Sequence, residues 1–360
     1  MASLVLFCDG TWNRADQVTK DGKPCVTNVL KLAVRTKKKT ENGKQQIVYY
    51  DQGVGTGNLA DRLIGGLLGE GLVANVIDSY RFLIANYVPG DDIYLFGFSR
   101  GAYTARCIAG LVSRCGILRR DQVRRYNDAL RIFHTTRAGT DPEAVKFRAE
   151  SAIEEVTPIR CIGVWDTVGA LGIPLRGFPN KAKYEFLDTR LSRSAQFAFH
   201  ALAVDEHRDP FMPTLWDWKD VAPLPSQTIE QVWFAGAHSD VGGGYPEVGL
   251  SDIAMNWMMR SAEKAGLEFD SHVVTAFEAP EDLKQNVHPS RTIGYKLTSP
   301  HLDRAIGDTS FKTEYFHRSL LQRWQQLGDK YRPKSLVAHR ARIESLLASP
   351  LTNEIYPVTP

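Results

Sequence analysis

The sequence predicts an α/β fold, a mostly parallel sheet flanked by helices with helical insertions, and three observations carry that expectation. Short apolar runs at 4–7, 93–96, 159–165 and 231–235 lack the in-out alternation of a half-exposed strand, as strands covered on both faces do. Segments with helical spacing, 28–34, 73–87 and 102–112, lie between them. Each run closes on small and polar residues, at the strand end where open α/β sheets hold ligands. The 360 residues are read as one domain, with insertions at about 117–157 and 175–225 and a helical extension over about 266–360.

In chain order, the first strand ends in Cys8-Asp9-Gly10-Thr11. Asp9-Gly10-Thr11 is similar to the D-x-D-G-T motif of haloacid-dehalogenase-type phosphatases, but Phe7 stands at the nucleophile position, so that chemistry fails. The reading that remains gives the Gly10 and Thr11 N–H groups to an oxyanion hole with Asp9 fixing the loop; Asp9 as a plain turn residue stays equally open. A second strand at 46–50 leads into Gln52-Gly53-Val54-Gly55-Thr56-Gly57, which has neither G-K-[ST] nor G-x-G-x-x-G and so argues against a nucleotide site. Residues 59–72 are apolar and glycine-rich. Leu63, Ile64, Leu67 and Leu68 read there as a lid or lipid-facing surface, or as an ordinary buried helix.

The stretch that organises the chain is the strand at 93–96, then Gly97-Phe98-Ser99-Arg100-Gly101, then a small-residue helix. A serine in the middle of G-x-S-x-G sits on a sharp strand-to-helix turn, and glycines on either side remove Cβ atoms that would clash across it. Ser99 is therefore the candidate nucleophile, and the Arg100 N–H at the helix start a candidate oxyanion donor. After two polar helical patterns between 121 and 155, the strand at 159–165 closes on Asp166, a candidate orienting acid downstream of the serine.

Residues 175–225 are aromatic and proline-rich, with a helix expected over 195–202. His200, Asp205, Glu206, His207 and Asp209 gather there in a spacing that matches no metal-ligand set, so helix-end or surface roles are expected. The strand at 231–235 runs into Gly236-Ala237-His238-Ser239-Asp240, followed by Val241 and three glycines. A histidine just past a strand, in a glycine-rich loop taken as mobile, is the candidate base; Asp240 is a rival acid better placed to brace the loop. Helices are expected at 251–265, 319–326 and 334–347, without a catalytic group.

Composition narrows the function. Charged residues are 24%, apolar ones 43% and the net charge is +3, which gives no support to a nucleic-acid partner. The five cysteines show no C-x-x-C spacing, and Cys8, Cys107 and Cys161 lie in apolar patterns, so a reducing compartment is expected. No basic region precedes the first apolar run and no stretch reaches the length of a membrane span. Synthesis in the cytoplasm without a signal peptide is expected, and any export would need a dedicated secretion machine.

Taken in order, CDGTWN, DQGVGTG, GFSRGAYTAR, VWDTVGALG, HALAVDE with PFMPTLW, and GAHSDVGGGY resemble the DUF2235 family, which includes type VI secretion lipase effectors. The resemblance implies an α/β-hydrolase fold and cleavage of phospholipid acyl esters by Ser99, Asp166 and His238 through an acyl-enzyme. It implies a lipid or small-ester substrate and peripheral contact with a membrane. The chemistry requires no metal or organic cofactor. A cytoplasmic small-ester or thioester hydrolase and a non-catalytic scaffold for a protein partner are the alternatives.

Overall fold

The computed structural model describes residues 1–10, 17–19, 21–53, 65–169, 191–217, 222–270, 283–291 and 300–360, with side chains of 65–70 left aside. Among them one eight-stranded sheet has the order β2-β1-β3-β4-β5-β6-β7-β8. The strands are β1 (Ala2–Cys8), β2 (Gln45–Asp51), β3 (Asp92–Phe98), β4 (Ile159–Trp165), β5 (Ala195–Ala203), β6 (Thr228–Phe234), β7 (Glu314–His317) and β8 (Ile355–Pro357). Neighbours run parallel except β8, which is antiparallel to β7. This is the arrangement expected of an α/β-hydrolase-like fold.

The apolar runs follow from burial on both faces. On one face Leu4, Leu6, Ile93, Leu95, Ile162 and Val164 pack against α2 (Gly65–Asn86), α3 (Arg100–Cys115), α4 (Tyr126–Thr135) and α5 (Pro142–Ser151). On the other, Val5, Phe7, Tyr94, Phe96, Cys161 and Phe199 meet α1 (Asn28–Arg35) and a helix at Gly249–Lys264. Consecutive residues thus point to opposite cores, and each must be apolar. Burying one such Leu or Phe contributes about 1.5–3 kcal/mol. A third core gathers Trp233, Phe316, Leu320, Trp324, Leu336 and Ile343 around the C-terminal helices. All five cysteines are buried and none forms a disulfide.

Three expectations need correction. Residues 195–202 are strand, not helix: β5 lies between β4 and β6, so the stretch 175–225 contributes a central strand and is not wholly an insertion. The alanines of AQFAFHALA favour helix locally, but pairing on both edges and burial on both faces override that weak preference. Residues 266–360 are not purely helical, because β7 and β8 extend the sheet; at 4 and 3 residues they are too short to show a period. Finally, 334–347 divides into Lys334–Val337 and Arg340–Leu347.

Order matters for the site. The chain passes from β1 to β2 on one side and returns to β3 on the other, so the carboxyl ends of β1 and β3 flank a topological switch point. The loops after β4 and β6 open on the same end.

Candidate active site

The turn after β3 is tight enough to dictate its glycines. A Cβ on Gly97 would stand 2.4 Å from the Gly101 oxygen, and one on Gly101 would stand 2.1 Å from the Cys8 oxygen. Helix α3 therefore starts pressed against the end of β1. Ser99, between the two glycines, takes φ 58° and ψ −122°, a conformation that costs a non-glycine residue free energy and holds its side chain up at the carboxyl end of the sheet.

From there the side chains of three separate strand ends meet. Ser99 Oγ lies 2.8 Å from His238 Nε2, and His238 Nδ1 lies 2.6 Å from Asp166 Oδ2. All three are buried. With a carboxylate beside it, Nδ1 carries the proton and donates, which leaves Nε2 as acceptor for the serine hydroxyl. Burial lowers the His238 pKa below its ordinary value, and Asp166 offsets this only in part. The imidazole is thus neutral near pH 7, the form a base needs. Phe98, at 4.6 Å between centroids, and Phe211, edge-on at 4.9 Å, flank the ring.

His238 opens a short helix, α6 (His238–Gly242), and the glycines around it serve close packing. A Cβ on Gly242 would fall 2.0 Å from the Phe98 ring, and one on Gly243 would meet the Asn28 nitrogen at 2.7 Å. Asn28 then donates to the Val241 and Ser251 carbonyls at 2.9 Å each, fixing the loop to α1. The loop expected to be mobile is clamped.

The remaining site residues named by the sequence fall out differently. Asp240 accepts from the Ala237 N–H at 3.0 Å and from His288 Nδ1 at 2.6 Å, so it braces the loop and does not bond the His238 ring. Asp9 is buried, with Oδ2 accepting from Thr27 Oγ1 at 2.6 Å and from Tyr50 OH at 2.7 Å. Its Oδ1 takes the Gly10 N–H at 2.7 Å, which engages the donor assigned to an oxyanion hole. Arg100 N–H opens α3 beside Ser99. Thr11, the glycine loop 54–57 and residues 59–64 of the expected lid lie outside the described residues, as do the side chains of Leu67 and Leu68. A cavity of 540 Å³ lined by Ser113, Arg114, Arg148, Thr157 and Ser194 opens beyond the other end of β4 and β5, and none of Ser99, Asp166 or His238 lines it.

The family model described as "T6SS, Phospholipase effector Tle1-like, catalytic domain" matches residues 2–261. The chain belongs to this family. An uncharacterized Saccharomyces cerevisiae protein, YEL023C, is 28% identical over 235 residues, covering 58% of this chain and 32% of its own length. An uncharacterized Pseudomonas aeruginosa protein of known crystal structure is 19% identical with a TM-score of 0.49, covering 78% of this chain and 49% of that one. A Tle1 effector solved bound to the VgrG spike of a type 6 secretion system is 21% identical with a TM-score of 0.38, covering 68% of this chain and 51% of that one. The chain spans about a third of the yeast relative and about half of each solved chain.

In this Tle1-like chain, two residues at the site escaped the sequence reading. Arg304 is fully buried and grips Asp166 with both ends of its guanidinium, Nη1 to Oδ1 at 2.5 Å and Nη2 to Oδ2 at 2.9 Å. The same nitrogens donate to the carbonyls of Ala203 at 2.7 Å and Phe211 at 2.6 Å. With the Ala203 N–H at 3.0 Å and His238, the Asp166 carboxylate accepts four hydrogen bonds, two per oxygen. Burial alone would raise its pKa; the Arg304 charge and the bonds from His238 and Arg304 reverse that and hold it well below the usual carboxylate range. Glu206, which the sequence assigned to a surface or helix end, is buried. It accepts the His238 N–H at 3.3 Å and is itself held by Arg208, whose Nη2 reaches Oε2 at 2.7 Å. Neither was legible, because Arg304 lies 138 positions from its partner and Glu206 acts through a backbone group.

Among the described residues no helix is long and apolar enough to cross a membrane.

Proposed function

We propose that the chain is a serine hydrolase of carboxylic esters and that its substrate is a phospholipid acyl ester. The single observation that carries the reading is the continuous bond path from Ser99 Oγ through His238 to Asp166, set on a strained strand-to-helix turn. In the reaction His238 Nε2 takes the hydroxyl proton as Ser99 Oγ attacks the carbonyl carbon. Asp166 keeps the proton on Nδ1 and stabilises the imidazolium. The oxyanion is met by the Arg100 N–H at the start of α3, with the Thr11 N–H as the second donor, since the Gly10 N–H is held by Asp9. His238 returns its proton to the leaving alcohol, and water cleaves the acyl-enzyme by the same steps in reverse.

The lipid part of the proposal draws on the family, whose description is of phospholipase effectors. Peripheral contact with a membrane and export through a dedicated machine belong to the same proposal. The test is labelling of the folded protein by a fluorophosphonate, beside fatty-acid release from phospholipid vesicles and from a soluble short-chain ester. Ser99→Ala is expected to fold, to lose the label and to lower kcat by about 10³- to 10⁶-fold. Parental turnover in Ser99→Ala would end the nucleophile assignment; turnover of the soluble ester alone would move the substrate to small esters.

A further inference from the structure

We propose that His207, His301 and Asp303 form a binding site for a divalent transition metal of the zinc class, and that the ion joins the two segments that hold His238 and Asp166. Each residue offers one ligand atom, and the three atoms lie within 4.8 Å of one another. His207 Nδ1 is 3.3 Å and His301 Nε2 3.1 Å from Asp303 Oδ1. Bonds of about 2.0–2.1 Å at tetrahedral angles set two ligand atoms about 3.4 Å apart, so both nitrogen-to-carboxylate edges already have the spacing of a zinc site. Only the gap between the two imidazole nitrogens must narrow. The rings are stacked at 4.3 Å and 22°, and His301 is exposed, so a turn of that side chain closes it.

The donor set selects the metal. Two imidazole nitrogens and one carboxylate suit zinc, cobalt or nickel, whereas calcium and magnesium take oxygen. Lys334 Nζ stands 4.0 Å from Asp303 Oδ2 and leaves Oδ1, the oxygen between the histidines, for the ion. His207 Nδ1 also faces the Leu302 carbonyl at 3.3 Å, a contact that ligation would replace. The backbone is prepared independently: Arg208 pairs with His301 as an antiparallel bridge, and the Leu302 N–H donates to the His207 carbonyl at 3.1 Å.

Position gives the site its consequence. Glu206, which accepts the His238 N–H, immediately precedes His207, and Arg304, which grips Asp166, immediately follows Asp303. An ion at this point therefore cross-links the segment that seats the base to the segment that seats the acid. The cluster escaped sequence reading because His301 and Asp303 lie far along the chain from His207.

Metal binding is separable from turnover, so the test uses the full chain carrying Ser99→Ala as well as the parent. After chelator treatment each is titrated with Co²⁺ while the visible d–d absorption of a tetrahedral site is followed, and Zn²⁺ is then added to displace it. One equivalent is expected to bind in both proteins. His207→Ala, His301→Ala and Asp303→Asn should each weaken binding by at least ~100-fold, since loss of mere supporting partners costs about 10- to 100-fold. His134→Ala, on an outer helix, should leave it unchanged. In a second readout Zn²⁺ should raise the thermal midpoint of the parent and not that of the His207→Ala/His301→Ala double variant. No absorption at stoichiometric Co²⁺, or an undiminished band in the double variant, would overturn the proposal.

Discussion

Arg304→Gln isolates what holds the acid in place. The substitution keeps a polar side chain of moderate size but removes the charge and the fork, so Asp166 loses two of its four donors and the Ala203 and Phe211 carbonyls lose theirs. Both partners are fully buried, and breaking one side of such a pair costs about 3–5 kcal/mol, because the charge left behind has no solvent to replace its partner. The sign with pH follows from the depressed Asp166 pKa. The pair's contribution is present above the unfolded carboxylate value of about 3.9 and is lost only as pH falls through the lower folded value. Without Arg304 that folded value climbs, so the variant should lose stability, and the ionised acid that steadies His238, at higher pH than the parent. An orienting acid is worth up to ~10⁴ in kcat. A residue acting through it should cost less, about 10- to 100-fold, with KM nearly unchanged. The assay is kcat/KM against pH with a soluble ester, beside a denaturant midpoint. Arg304→Gln should move the acid limb upward, and Arg304→Lys, which restores charge without the fork, should return part of the shift. A parental midpoint together with a parental pH profile in Arg304→Gln would refute the reasoning.

Three other outcomes are expected. Asp166→Asn should lower kcat far more than Asp240→Asn, whose cost should appear in thermal stability because Asp240 holds the Ala237 N–H and His288; hydrolysis more sensitive to Asp240→Asn would reverse the two roles. The parent's kcat/KM should rise with pH through a midpoint below about 6.5, since burial favours neutral His238; a midpoint clearly above that value would contradict a buried base. Charged replacements at Leu67 and Leu68 should reduce turnover of vesicles much more than that of a soluble ester; parallel loss of both activities with thermal stability would mark an ordinary core helix.

What the sequence discloses about this molecule depends on the range over which each signal acts. Ser99 was legible because its turn carries a local signature of five residues: glycine at 97 is required by the Gly101 oxygen, 2.4 Å from where a Cβ would stand, and glycine at 101 by the Cys8 oxygen of the neighbouring strand at 2.1 Å. Asp166 and His238 were legible by position, as polar residues directly after runs that must be apolar on both faces, and the structure brings both to Ser99. β5 was misread because alanine reports a local preference of tenths of a kcal/mol, whereas two neighbouring strands decide its state. The glycines after His238 were misread for the opposite reason. A glycine permits motion or close approach equally, and only the Phe98 ring and the Asn28 backbone nitrogen show which of the two is used here. Arg304 marks where local reading ends. An arginine in a polar stretch looks like any solvated cation, yet this one is withdrawn from water and paired with a carboxylate that, in so dry a place, stays ionised only beside a fixed positive partner. The need is written at Asp166; the residue that meets it is determined by the fold.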